Sequence, residues 1–368
     1  MRRLATPIAA LAVAAAACAP SGGVSPSTTA GGDPSTTTVP GVGGRPGEVV
    51  VGLGTVGSPR ILNPLLDGPD TAVLDLIAPA VFATGWYFDG VSREPVPNLL
   101  AEIPSLENGG LEDRGNGRMD VTVRVVDGAV WADGEPITAD DLLFTYQVIV
   151  DQSNPIRSDV RERYDTILPG TLAADGQELR FRMETSLDVT MLFDIILPQH
   201  EVENSDFAAD WGDTMWVSGG PFELASWQPG QYLELRRNPR YWKVDAAGGT
   251  LPRLDRVVIR FFESGPTVDP RLRDTFMGRD LDVAIVPDAQ GNLSAYEGPV
   301  EAGVATMSVP GVGWEALVFQ FGPNNRNTET LNSNLAFRQA VAHAIDRTSL
   351  AEPRATQPLY SAIRLYRL

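Results

Sequence analysis

A mixed α/β fold of about two domains is what this sequence predicts, and three observations predict it. The chain has 368 residues, more than one ordinary domain of roughly 100 to 200 residues holds. With 43% hydrophobic and 21% charged residues, it has the apolar surface to bury cores that a disordered chain lacks. Apolar runs of strand length alternate with stretches of helical spacing, and no repeat period is visible.

Taken in order, the first ordered element begins at Glu48-Val-Val-Val-Gly-Leu, a continuous apolar run that reads as a buried strand. Turn-forming residues Gly54 to Pro59 follow. From Thr71 to Phe82, Val73, Leu74, Ile77 and Val81 recur at helical spacing. Asp120-Val-Thr-Val-Arg-Val alternates with period two and runs into Asp127-Gly128, a dipeptide that tolerates the positive dihedrals of a tight hairpin turn. A second turn is expected at Asp133-Gly134-Glu135-Pro136. Thr138 stands three residues before Asp141, an acidic relative of the capping box, so a helix with Leu142, Leu143, Tyr146 and Val150 on one face is predicted from there. Further strands are predicted at 179–183, 232–236, 256–262, 281–286 and 317–321, and a helix at 335–345.

The amino-terminal 47 residues follow different rules. Arg2 and Arg3 precede a run from Leu4 to Ala17 built largely of alanine. It is too short to span a bilayer comfortably and has the layout of a secretory signal, residues 1–17. The small residues before Cys18, the chain's one cysteine, resemble a bacterial lipobox in which that cysteine becomes the lipidated first residue; an ordinary signal with a bystander cysteine is the alternative. Of residues 19–47, 22 are Gly, Ser, Thr or Pro, too few apolar groups to offset chain entropy, so 18–47 reads as lipidated cysteine and disordered tether.

Composition excludes several functions. The net charge is −18, and −20 once Arg2 and Arg3 leave with the signal, a field that repels phosphate backbones and disfavours nucleic acid. One cysteine forms no internal disulfide or thiolate zinc cluster, and the two histidines, His200 and His343, are far apart in sequence, so no metal site and no cofactor is expected. Twenty-eight arginines stand against one lysine, Lys243, which reads as codon bias. No Gly-x-Ser-x-Gly elbow, phosphate loop or His-Glu-x-x-His occurs.

Three stretches, in this order, resemble one family. Trp86-Tyr-Phe-Asp-Gly and Pro95-Val-Pro-Asn-Leu-Leu-Ala lead to Trp131-Ala-Asp-Gly-Glu-Pro-Ile-Thr-Ala-Asp-Asp-Leu-Leu-Phe. Gly219-Gly-Pro-Phe then runs through Arg237-Asn-Pro-Arg-Tyr-Trp, and Ala336-Phe-Arg-Gln-Ala-Val-Ala-His-Ala-Ile-Asp-Arg closes the set. Together, over residues 48 to 350, they are similar to the extracellular solute-binding proteins of family 5, the peptide/nickel-type lipoproteins of ABC importers. The resemblance implies a two-lobed periplasmic-binding-protein-like fold, type II and of the large peptide-binder class. Its first lobe spans 48–262, with an inserted subdomain at about 89–210, and a partial second lobe spans 263–368. Residues 348–368 do not resemble the family's next segment, so the second lobe is expected to be incomplete.

By the resemblance, the chain captures an oligopeptide or similar small solute outside the cytoplasmic membrane. It then hands the solute to a permease and its ATPase while a lipid anchor holds it, and the lobes close on the ligand without catalysis. Asp67 or Asp70 would meet a cationic ligand group and Arg157 a carboxylate, though all three also read as solvated loop charges. Trp86 and Tyr87 read equally as cleft wall or core. Trp216, Val217 and Ser218 precede Gly219-Gly220-Pro221 at a hinge-adjacent position, and Trp314 precedes a strand of the second lobe. Phe319 reads as packing, and His343, on the helical face of Phe337, Ala340 and Ala344, as a partly buried packing histidine. Two other readings remain open: a surface lipoprotein serving adhesion without transport, and an extracellular hydrolase using paired carboxylates or His200.

Overall fold

The computed structural model describes residues 46–55, 58–68, 71–90, 92–185, 187–263, 269–287, 304–308, 334–344 and 362–367. The signal, Cys18 and residues 19–45 of the tether lie outside the described residues, as do Asp70, Trp314, Phe319 and the strand expected at 317–321. The chain divides into two compact units: Met1–Gly265 with Asp269–Ala284, and Pro266–Val268 with Ile285–Leu368.

The first unit opens with β1 (Glu48–Thr55), where the apolar run placed it, and α1 (Thr71–Val81) follows. Val73, Leu74, Ile77 and Val81 are all buried; each side chain of that size contributes about 1.5–3 kcal/mol when removed from water. A short ribbon pairs β2 (Trp86–Phe88) with β3 (Pro95–Pro97). Next come β4 (Leu111–Gly115) and β5 (Arg118–Arg124), joined by a tight turn in which Asn116 and Gly117 both take positive φ, 56° and 71°. That is the hairpin. The Asp127-Gly128 turn does form, with Gly128 at φ 80°, but it leads out of the sheet. The far edge of β5 is taken by β7 (Glu178–Glu184), which also pairs with β6 (Ala173–Asp175), giving the order β4-β5-β7-β6. Val121, Val123, Leu179, Phe181 and Met183 point from this sheet into its core, as period-two alternation requires.

Between β5 and β6 lie α2 (Ala139–Val150) and α3 (Ser158–Tyr164). The expected capping box is present: Thr138 Oγ1 accepts from Asp140 N at 3.3 Å, and Asp141 Oδ2 accepts from Thr138 N at 2.9 Å. The other Asp141 oxygen accepts from Gln199 N at 2.9 Å, so one carboxylate caps α2 and holds the start of α4 (Gln199–Val202). Burial pushes the Asp141 carboxyl above its usual range, and the Thr138 and Gln199 backbone N–H groups offset part of that.

β8 (Phe222–Gln228), β9 (Tyr232–Arg237) and β10 (Arg256–Glu263) build the larger sheet with β1. β8, β9 and β10 run antiparallel in sequence, and β10 lies parallel to β1 in the register Val50↔Val258. Strands buried on both faces read as continuous apolar runs, which is why β1 and β10 are visible in sequence. α5 (Pro270–Met277), capped by Asp269, packs on β1, and β11 (Val283–Pro287) starts along its free side. In the second unit, β12 (Val304–Ser308) pairs antiparallel with β13 (Ala362–Arg367), and α6 spans Leu335–Ala344. The sequence reading of His343 is corrected here: it is exposed, and α6 has no buried residue. No helix among the described residues is long and apolar enough to cross a membrane.

Candidate functional site

The sequence candidates in the first unit fall into three places. At the turn before β8, Ser218 is buried. Its Oγ lies 2.5 Å from Val81 O and 2.6 Å from Phe222 O, and accepts from Gly220 N at 3.0 Å. A hydroxyl has one proton, so it serves one of those carbonyls at a time. The glycines after it are set by close approach: a Cβ on Gly219 would stand 2.6 Å from Ala83 Cβ and 2.8 Å from the Trp131 ring. A Cβ on Gly220 would stand 2.8 Å from the Val81 backbone. Trp216 is 2% exposed and packs on Phe82 with centroids 4.5 Å apart and ring planes tilted by 39°, with Phe207 and Trp211 beyond. Its Nε1 has no hydrogen-bond partner among the described residues. Val217 is half-buried and donates its N–H to Glu201 Oε2 at 2.6 Å. Packing thus accounts for Trp216 and Ser218 as they stand, and Val217 keeps an accessible face.

Beside α1, Arg157 is engaged by its own chain. Its Nη1 donates to Asp75 Oδ1 at 2.9 Å and Pro64 O at 3.2 Å, and its Nη2 to Asp159 Oδ2 at 3.0 Å. Burial works against the guanidinium charge, but the two carboxylates outweigh it and raise the Arg157 pKa. Asp75 is raised by burial, and Arg157 offsets part of that rise. A second pair, Arg163 with Asp194 at 2.8 Å, stands further along α3. Asp67 is exposed, one residue beyond the Leu66–Ile156 bridge that brings this loop to α3.

On the β2 ribbon, Trp86 is buried and donates Nε1 to Leu192 O at 2.8 Å, taking the core alternative. Tyr87 is half-buried, and Lys243 Nζ stands 5.3 Å from its ring centroid and 5.4 Å from that of Trp242. Sequence reasoning passed over Lys243, although its being the chain's one lysine was a visible signal.

Another surface feature is a shallow, open depression of about 260 Å³ lined by Glu135, Pro136, Thr138, Asp140, Asp141, Gln199, His200 and Glu203. On its rim His200 Nε2 lies 2.8 Å from Asp133 Oδ2. An ionised carboxylate only accepts, so Nε2 carries the proton. Burial acts to raise Asp133, and the His200 and Glu135 hydrogen bonds outweigh it, holding the carboxyl below its usual range. No hydroxyl or thiol meets the His200 ring among the described residues, so no triad forms. No group of His, Cys, Asp and Glu suited to a metal occurs among them either.

The first unit thus carries half-buried aromatic and charged side chains on a mixed α/β scaffold. The chain belongs to the bacterial extracellular solute-binding proteins of family 5: the family model, "Bacterial extracellular solute-binding proteins, family 5 Middle", matches residues 96–358. It is 26% identical over 321 residues to Protein XP55 of Streptomyces lividans, covering 84% of this chain and 51% of that protein. It is 28% identical over 302 residues to the periplasmic alpha-galactoside-binding protein of Rhizobium meliloti, covering 72% of this chain and 40% of that one. Among solved structures, the oligopeptide-binding protein AppA of Bacillus subtilis, in complex with a nonapeptide, superposes with a TM-score of 0.57 at 22% identity, over 83% of this chain and 55% of AppA. The chain therefore has the fold of the large peptide-binder class, and it spans about half the length of the curated relatives it matches.

Proposed function

We propose that this chain is the solute-capturing component of an ABC importer, taking an oligopeptide or similar small solute outside the cytoplasmic membrane and delivering it to a permease and its ATPase. The observation that carries the proposal is the family match over 96–358. AppA, which shares the fold, binds a peptide, and the Rhizobium relative is an alpha-galactoside-binding protein. Recognition and lobe closure suffice for that role, and no bond need be made or broken.

In this reading residues 48–262 and 263–368 supply the two lobes, and lipid on Cys18, behind a cleaved signal and the 18–47 tether, anchors the chain. Asp67, Tyr87 and Val217 are the described candidates with surface to offer a ligand, and Asp70 and Trp314 complete the proposed set. Trp86, Trp216, Ser218 and Arg157 hold the scaffold behind them. Calorimetry of the full chain against an oligopeptide library and against alpha-galactosides tests the proposal. Saturable heat with either class is the expected result. A sample folded by circular dichroism but heat-silent toward both would overturn it.

A further inference from the structure

Lys243 follows the segment Arg237-Asn238-Pro239-Arg240-Tyr241-Trp242, which the fold holds firmly. Asn238 Nδ2 donates to Gly220 O at 2.9 Å, Asn238 N to Pro221 O at 2.9 Å, and Arg240 Nη1 to Ala132 O at 2.6 Å. The Lys243 main chain is fixed as well, since its carbonyl accepts from Leu251 N at 3.1 Å. A side chain leaving so fixed a backbone is preorganised for recognition.

Its ammonium is half-buried between the Tyr87 and Trp242 rings, and no carboxylate lies within ion-pair distance of it among the described residues. Asp245, two residues on, is committed to Arg253 Nη2 and to the Ala247 and Gly249 N–H groups. In a chain of net charge −18, a cation left without an acid beside two half-buried aromatic faces is a distinctive surface. Ring faces attract the ammonium but donate no lone pair to its three N–H bonds. Burial pushes the Lys243 ammonium below the ordinary lysine range, a cost that an arriving carboxylate would relieve.

We propose that Lys243, Tyr87 and Trp242 form a recognition site for a carboxylate-bearing ligand whose flat apolar face stacks on the two rings. The inference deepens the solute-binding reading and rests on it: the acid group of the solute pairs with Lys243 Nζ, and its ring or side chain covers Tyr87 and Trp242.

Because Lys243 is the chain's single lysine, ¹³C-lysine labelling of the full chain yields one Cε resonance that needs no assignment. Titration with phenylacetate should shift that resonance saturably, and the neutral analogue 2-phenylethanol should bind on the order of tenfold more weakly. By calorimetry, Lys243→Gln should lose that preference for the acid and Lys243→Arg should keep most of it, each variant being checked for folding by circular dichroism. A shift that never saturates, or equal binding of acid and alcohol, overturns the site. If Lys243→Gln takes peptide as tightly as the unaltered chain, the site falls and the solute-binding reading stands. If phenylacetate binds as expected while both libraries stay silent, that reading falls alone.

Discussion

Ser218 Oγ lies 2.5 Å from the carbonyl oxygen of Val81, so a buried hydroxyl ties the last residue of α1 to the turn that starts β8. The turn cannot move away, because Gly220 N donates to the same Val81 oxygen at 3.0 Å. Ser218→Ala removes the one proton that Val81 O and Phe222 O share and leaves a buried carbonyl short of a donor, at a cost of about 1–3 kcal/mol. Gly220→Ala should cost more, since its Cβ would press on backbone atoms at 2.8 Å rather than on a side chain that can rotate. Urea unfolding checks both, and a Ser218→Ala midpoint equal to that of the unaltered chain would show the hydroxyl to be idle.

The two buried tryptophans make a matched pair for a second test. Trp86 donates Nε1 to Leu192 O at 2.8 Å, whereas Trp216 Nε1 has no partner among the described residues. Trp86→Phe strands a carbonyl as well as shrinking the ring; Trp216→Phe shrinks the ring but also removes an unpaired donor. The Trp86 variant should therefore be the less stable of the two by about 1 kcal/mol or more. Equal losses in thermal unfolding would mean that the Trp216 N–H is satisfied in solution.

These residues also show how far the sequence could be read. The capping box at Thr138 and Asp141, helix α1, and strands β1 and β10 follow from local pattern alone, because each element carries its own apolar face or cap. The β4–β5 hairpin was misplaced: β4 is exposed along most of its length, so no apolar alternation marks it, and the stronger Asp127-Gly128 signal drew the prediction eleven residues past the Asn116-Gly117 turn. Among the candidate site residues, assigning Trp86, Trp216 and Ser218 to core required knowing that Leu192, Phe82 and Val81 fold against them. Lys243 was passed over because the ring its ammonium faces, Tyr87, lies 156 positions earlier in the chain.

Arg157 is a third case where a partner distant in sequence sets the role, since Asp75 lies on α1, 82 positions away, while Asp159 stands two residues on in α3. Arg157→Met leaves Asp75 partly buried and unpaired. Its side chain is 29% exposed, so the loss should be about 1–3 kcal/mol at pH 7, less than the 3–5 of a fully buried pair. The pH dependence has a definite sign. The folded pKa of Asp75 is already raised by burial, and removing Arg157 raises it further. A folded state that holds its proton more tightly than the unfolded chain gains stability as pH falls. The penalty of Arg157→Met should therefore shrink on acidification, as Asp75 takes up a proton. Chemical denaturation across pH 4 to 7 measures it, and a penalty that grows as pH falls would contradict the assignment.

Asp120 should behave in the opposite way. On β5 it accepts from Arg182 Nε of β7 at 2.6 Å and from Arg114 Nε of β4 at 2.6 Å, bridging three strands. The Arg182 and Arg114 hydrogen bonds and charges hold its carboxyl below the usual range. A depressed folded pKa stabilises the native state above the unfolded value of about 3.9, and that contribution is lost as pH falls through the folded value. The arginines are 39% and 46% exposed, so solvent screening limits the effect to about 1 kcal/mol or less. Asp120→Asn should thus be less stable than the unaltered chain at pH 7, with the difference fading below pH 4 and weakening in 0.5 M salt (~4 Å Debye length). Total stability against pH cannot separate these effects, because Asp75 and Asp141 shift the other way; the difference between variant and unaltered chain can. If that difference is flat from pH 7 to pH 3, the three-strand bridge contributes nothing to the fold.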